Sequence, residues 1–312
     1  MKRFRKILFV SHGINEESGA LEQAIRLALD NNAELSILII SPDFPERLKE
    51  YESSYVTWLK EQMDARVAKA KSTLKSDQKK IPIIMDIEFG YAPDVRIIKY
   101  LLKHQHDLLI KEIEPNLKCK GFKSLDMELL RKCPSALFLH RPLKNTSRKA
   151  QVAVAIDAND VDLTGQKLAV KLLELSHSLA TRYSGNLNII TCWDFPMEDY
   201  LRQSLWVKIS DNEVDNMVSN VKHEHGLSLR HLIAEAKIGE NYSIAYLKGN
   251  PTTLIPKAAT EKEIDILVMG TLARTGITGF IIGNTAEDIL QEIDCSLLAL
   301  KPEGFISPVK ID

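Results

Sequence analysis

The segment ILVMGTLARTGITGFIIGNTAEDIL, residues 266–290, decides the reading of the fold. A short apolar run ends at Gly270. A loop punctuated by Gly276, Gly279 and Gly283 follows. Ala286, Ile289, Leu290 and Ile293 then take up the i, i+3, i+4, i+7 spacing of an amphipathic helix. The order is therefore buried strand, glycine-rich loop, helix, with Asn284 or Thr285 as the expected N-cap. The first N–H groups of a helix lack intrahelical acceptors, and the positive end of its dipole lies there. Set beside one strand's carboxyl end, they make a place suited to a phosphate.

Outward from this segment the same alternation fills the chain twice. Apolar runs in the first half are Ile7–Val10, Leu35–Ile40, Ile81–Ile87, Leu108–Ile110 and Ala136–Leu139. Those in the second are Val152–Ile156, Leu187–Cys192, Ser243–Leu247, Ile264–Met269 and Leu297–Leu300. Continuous rather than alternating apolar runs fit strands covered on both faces, as in parallel sheets. Between them lie helical stripes: Leu21, Ala24, Ile25 and Ala28 in one half, Leu168, Leu172, Leu175 and Leu179 in the other.

Local wording repeats too. Asp43-Phe44-Pro45 and Asp194-Phe195-Pro196 each follow a second strand. Cys133 and Cys295 each precede a fifth. A period of about 145–160 residues is right for a duplicated domain and too long for a solenoid. The polar stretch Arg141–Lys149 reads as the linker. The expected fold is α/β: two tandem doubly wound, Rossmann-like domains with five-stranded parallel sheets, residues 1–143 and 150–312. In such sheets ligands sit at the carboxyl ends of strands near the topological switch point, here after the first and fourth strands of each half.

Composition narrows the function. The chain has 312 residues, 45% hydrophobic and 27% charged, with a net charge of −1. No basic face for nucleic acid is implied, and no membrane partner. Met1-Lys-Arg-Phe-Arg-Lys6 precedes too short an apolar run for a signal peptide, and no stretch approaches the roughly 18–20 apolar residues of a membrane span, so a soluble cytoplasmic protein is expected. Cys119, Cys133, Cys192 and Cys295 form no C-x-x-C pair and read as reduced thiols; no metal site is expected. Nucleophile elbow, H-E-x-x-H and kinase patterns are all missing from the sequence, which points away from an enzyme.

Several residues stand out individually. Asp157 ends the sixth apolar run, and Gly270 ends the ninth and lets a ligand approach the backbone. His12 is the histidine at a strand end. His104-Gln-His106 and His223-Glu-His225 read as chance surface histidines, because i and i+2 do not share a helix face. Lys111, Lys118, Lys120 and Lys123 read as a solvated basic loop. The aromatic stretches Phe44, Tyr51, Tyr55, Trp58 and Trp193, Phe195, Tyr200, Trp206 fit either core packing or the wall of a cavity or subunit contact.

Gly270-x-x-Ala273, nine residues, then Gly283-Asn284 resembles the G-x-x-G, nine residues, G-[S/T] signature of universal stress proteins, and Arg274-Thr275-Gly276 is similar to that family's R-T-G. With the duplication, the resemblance covers essentially the whole chain. In the family's nucleotide-binding branch, ATP lies between the first and fourth strands. Carried over, Ala155 and Asp157 face the adenosine, Met269 and Gly270 flank it, and Gly283, Asn284 and Thr285 meet the phosphates. Two positions depart. Ala273 stands for the second glycine, and its Cβ costs on the order of 1 kcal/mol if the backbone needs positive φ. Asn284 stands for the hydroxyl residue but still donates, with Thr285 adjacent.

The first half carries Ser11-His12 in place of Asp157 and no glycine signature after its fourth strand, so no nucleotide is expected there. The resemblance also implies antiparallel pairing of the two fifth strands about a pseudo-twofold axis, and a further homodimer. It implies a non-enzymatic stress-response protein that binds a small ligand, an adenine nucleotide in the second half, with no cofactor required. The alternative is a nucleotide-free interaction protein whose cavity is empty or takes an apolar or acyl-bearing ligand.

Overall fold

The computed structural model describes residues 4–15, 17–74, 81–114, 120–143, 149–159, 162–183, 185–204, 206, 208–271 and 282–311. The first half runs β1 (Lys6–Ser11), α1 (Ser18–Asn31), β2 (Glu34–Ser41), α2 (Glu52–Thr73), β3 (Ile83–Phe89), α3 (Pro93–His104), β4 (Leu108–Glu112), α4 (Ser124–Lys132) and β5 (Ala136–His140). The second runs β6 (Val152–Ile156), α5 (Leu163–Arg182), β7 (Leu187–Trp193), α6 (Glu198–Gln203), α7 (Asp211–Ala236), β8 (Tyr242–Lys248), α8 (Pro251–Glu261), β9 (Ile266–Gly270), α9 (Asn284–Glu292) and β10 (Ser296–Leu300).

All ten strands form one sheet in the order β3-β2-β1-β4-β5-β10-β9-β6-β7-β8. Pairing is parallel within each half. At the centre β5 and β10 pair antiparallel, with Phe138 opposite Leu298. The order read from β5 outward matches the order read from β10 outward, which is the pattern a twofold axis between the fifth strands produces. The expected fold and fifth-strand pairing are both met, with the two sheets fused into one.

The strands form because both of their faces are covered. Leu35, Ile37, Leu38 and Ile39 of β2 are fully buried. One face carries Leu21 and Ile25 of α1, Leu59 and Met63 of α2, Leu172 and Leu173 of α5, and Leu229 of α7. The other carries Ile97 and Leu101 of α3, Leu129 of α4, Ile255 of α8, and Ile289 and Leu290 of α9. Each fully buried aliphatic side chain contributes about 1.5–3 kcal/mol. Local signals set the helix starts: Ser210 and Glu213 form a capping box at α7, and the Asn250 side chain accepts the Thr252 N–H at α8. Among the described residues, no helix is long and apolar enough to cross a membrane.

Candidate functional site

Strand order reverses between β6 and β9. From β6 the chain steps outward to β7 and β8, then returns to the other side of β6 as β9. Crossovers leave in opposite directions there, so a crevice opens at the carboxyl ends. Ala155 and Asp157 lie at the end of β6, Met269 and Gly270 end β9, and Gly283, Asn284 and Thr285 begin α9. All seven line one cavity of about 720 Å³. The eighth expected residue, Ala273, and Arg274-Thr275-Gly276 lie outside the described residues.

One side of the cavity is built on the start of α9. Gly283, not Asn284 or Thr285, is the N-cap, at φ −58° and ψ 140°, and among the described residues no side chain caps the helix. The expected cap is thus displaced by one residue, because the chain is already helical at Asn284. The Gly283 N–H donates to the Thr271 carbonyl at 3.2 Å, and the Glu287 N–H donates to the Gly283 carbonyl at 2.9 Å. The N–H groups of Asn284, Thr285 and Ala286 have no acceptor inside the helix. Gly270 keeps the floor open. A Cβ there would stand 3.0 Å from Leu168 Cδ2.

Part of the lining is apolar. Leu168 and Leu172 of α5, Ile255 of α8 and Trp193 at the end of β7 form this wall. Trp193 is 5% exposed, and its buried indole N–H has no hydrogen-bond partner among the described residues. Of the expected aromatic stretch, Trp193 thus walls the cavity, whereas Trp206 is 92% exposed. The described lining includes the carboxylates Asp157, Asp162 and Asp194 and neither lysine nor arginine.

A histidine missed by the sequence reading braces this site. His225 of α7 is buried. It lies 2.9 Å from Asn159 Oδ1 through Nδ1 and 2.8 Å from Thr191 Oγ1 through Nε2. Thr191 donates to the Ile156 carbonyl at 2.9 Å, and the Asn159 N–H donates to Asp157 Oδ1 at 3.0 Å. One side chain from the long excursion after β7 therefore ties down the loop bearing Asp157. Burial lowers the His225 pKa, against the pull of Asp157. His106 is also buried, 2.9 Å from Ser36 Oγ, and burial pushes its pKa down to about 4. These two are not surface histidines, as their H-x-H contexts suggested; the signal lay in the small polar partners two elements away.

The first half presents the same ends differently. Strand register sets His12 against Asp157, Lys111 against Met269 and Glu112 against Gly270. Helix position sets Asp126 against Ala286. Lys111 is 1% exposed and Asp126 is fully buried; they form an ion pair at 3.0 Å. Asp126 also accepts the Glu114 N–H at 3.2 Å. Lys111 is thus no part of a solvated basic loop, because Asp126 draws it inward.

Glu112 accepts the Ala20 N–H at the start of α1, at 3.0 Å, and faces His140 Nδ1 at 3.1 Å. Ser11 donates to the Glu17 carboxylate, which also accepts the His12 N–H at 3.1 Å. A Cβ on Gly13 would meet both Ile39 and Leu59 at 2.9 Å, so α2 lies directly over this loop. Burial, aided by Lys111, lowers the His12 pKa, opposed by Glu17 and Asp126. Among the described residues, side chains of the first half occupy the positions that line the cavity in the second.

One family model matches within the second half. Residues 150–301 match the Universal stress protein family. The likeness to the family extends further. The chain is 27% identical to universal stress protein E of Escherichia coli strain K12, over 96% of this chain and 90% of that protein. It is 24% identical to universal stress protein E of Photorhabdus laumondii over 99% of both. Among solved structures it superposes on a protein of unknown function from Pseudomonas aeruginosa with a TM-score of 0.71 at 20% identity, covering 97% of this chain and 94% of that one. A universal stress protein from Archaeoglobus fulgidus gives a TM-score of 0.60 at 14% identity, over 95% and 96% of the two chains. At such identities the structures establish the fold, and both halves share it.

Proposed function

We propose that the chain is a non-enzymatic, cytoplasmic stress-response protein that holds one adenine nucleotide in its second half. The carrying observation is convergence: seven residues named from the sequence line a single cavity, three of them at an uncapped helix start. Adenosine would lie between β6 and β9, against Ala155, Asp157, Met269 and Gly270. The phosphates would meet the N–H groups of Asn284 and Thr285. We take the units as residues 1–143 and 150–312, and the assembly as a homodimer, which light scattering tests directly.

The test of the site is Gly283→Val. Its backbone angles suit any residue, so valine adds bulk without backbone strain. Loss of nucleotide binding with an unchanged unfolding transition is expected; retained affinity would refute the placement of the phosphates. A second reading is favoured by the apolar wall of Leu168, Leu172, Trp193 and Ile255 and by the three lining carboxylates. On that reading the cavity takes an acyl-bearing or other apolar ligand. Mass spectrometry of the organic and aqueous phases from the denatured purified protein separates the two by finding a lipid or a nucleotide.

A further inference from the structure

The halves are joined by charge as well as by strands. Arg131 of α4 reaches Glu287 of α9 at 2.7 Å, across the boundary between the halves. Behind it runs a relay on the first half. Arg131 also pairs with Glu128 at 3.0 Å, Glu128 with Lys132 at 2.7 Å, and Lys132 with Asp94 in the first turn of α3 at 2.6 Å. All five side chains are about two-thirds buried or more. The relay ends in the first turn of the helix whose start frames the cavity. A carboxylate in that turn suits the helix dipole but opposes any anion bound at the same helix end.

Resting on the nucleotide reading above, we propose that Arg131 is a positioning residue for the second half's phosphate end. It neutralises Glu287, so that the first half sets the affinity of the second for phosphate. Glu287 stands one turn into α9, so its carboxylate is within roughly 10 Å of the helix mouth. An unneutralised charge at that range, in a partly screened surface site, weakens binding by a little under twofold per ligand charge. A salt bridge that only held the halves together would affect every ligand alike.

Titration calorimetry at low ionic strength with adenosine, AMP and ATP distinguishes these cases. Arg131→Ala should weaken ATP by about tenfold and AMP by about threefold, and leave adenosine unchanged. Adding Glu287→Gln to Arg131→Ala should restore ATP affinity. Should Arg131→Ala not fold by circular dichroism, Glu287→Gln alone carries the test, with ATP bound about tenfold tighter and adenosine unchanged. An equal loss for all three ligands, an unaltered ATP affinity, or failure of Glu287→Gln to act would overturn the proposal. If the unmodified chain binds none of the three, the nucleotide reading fails, and this inference falls with it.

Discussion

The two carboxyl edges of the sheet share one backbone plan and differ in what fills it. In the second half Met269, Gly270 and Ala286 leave a cavity of about 720 Å³. In the first, the matching Lys111, Glu112 and Asp126 occupy their own site with ion pairs and hydrogen bonds, and Leu59 covers the loop after β1. Duplication kept the fold in both copies. The site depends on a few side chains whose loss need not disturb the sheet, so it can close in one copy alone.

The largest effect that would break this comparison is on stability. Lys111→Ala leaves Asp126 charged and buried without its cation, and should cost about 3–5 kcal/mol. The double change Lys111→Met with Asp126→Ala installs the second half's residues and should recover most of that loss, because it removes both charges together. Urea unfolding midpoints measure both. A Lys111→Ala protein as stable as the original would mean that the pair does not close the first site.

Next comes the reverse transplant. Gly270→Glu gives the second half the residue of Glu112. Its Cβ would press on Leu168, and its carboxylate would face the phosphates. An ATP affinity lower by about a hundredfold is expected, roughly 2.7 kcal/mol. An unchanged affinity would show that an open floor at Gly270 is not what separates the halves.

The smallest effect is the pH response, which bears on both halves. His12 and His106 in the first half and His225 in the second all have lowered folded-state pKa values, with burial the largest cause in each. The unfolded chain therefore binds protons first as pH falls. Their contribution is fully present above the ordinary histidine value of about 6.5 and is lost on acidification, for His106 down to about 4. Thermal melts at pH 7.5 and 4.5 should show a lower midpoint at the acid end, and His106→Gln should shrink the difference. A midpoint that rises on acidification would contradict the burial of these rings.

How far the sequence was legible follows the range of the forces involved. The strands were legible because burial on both faces writes a continuous apolar run, as at Leu35–Ile40. The cavity was legible through Gly270 and Gly283, since the need for space leaves glycine in place. The burial of Lys111 was not, because a lysine goes inward only with its partner, and Asp126 lies beyond a loop on another element. His225 was missed for the same reason: Thr191 and Asn159 make it structural, and neither is near it in sequence. The cap of α9 differed by one residue, which the spacing of Ala286 and Ile289 leaves undetermined.

The most direct test is the stoichiometry and place of bound nucleotide. Purified full-length protein, denatured and assayed by mass spectrometry and then titrated with ATP, should carry or bind one adenine nucleotide per chain, lost in Gly283→Val and unaffected by Lys111→Met with Asp126→Ala. Two nucleotides per chain, or one that survives Gly283→Val, would contradict the division of labour between the halves. So would no binding at millimolar ATP.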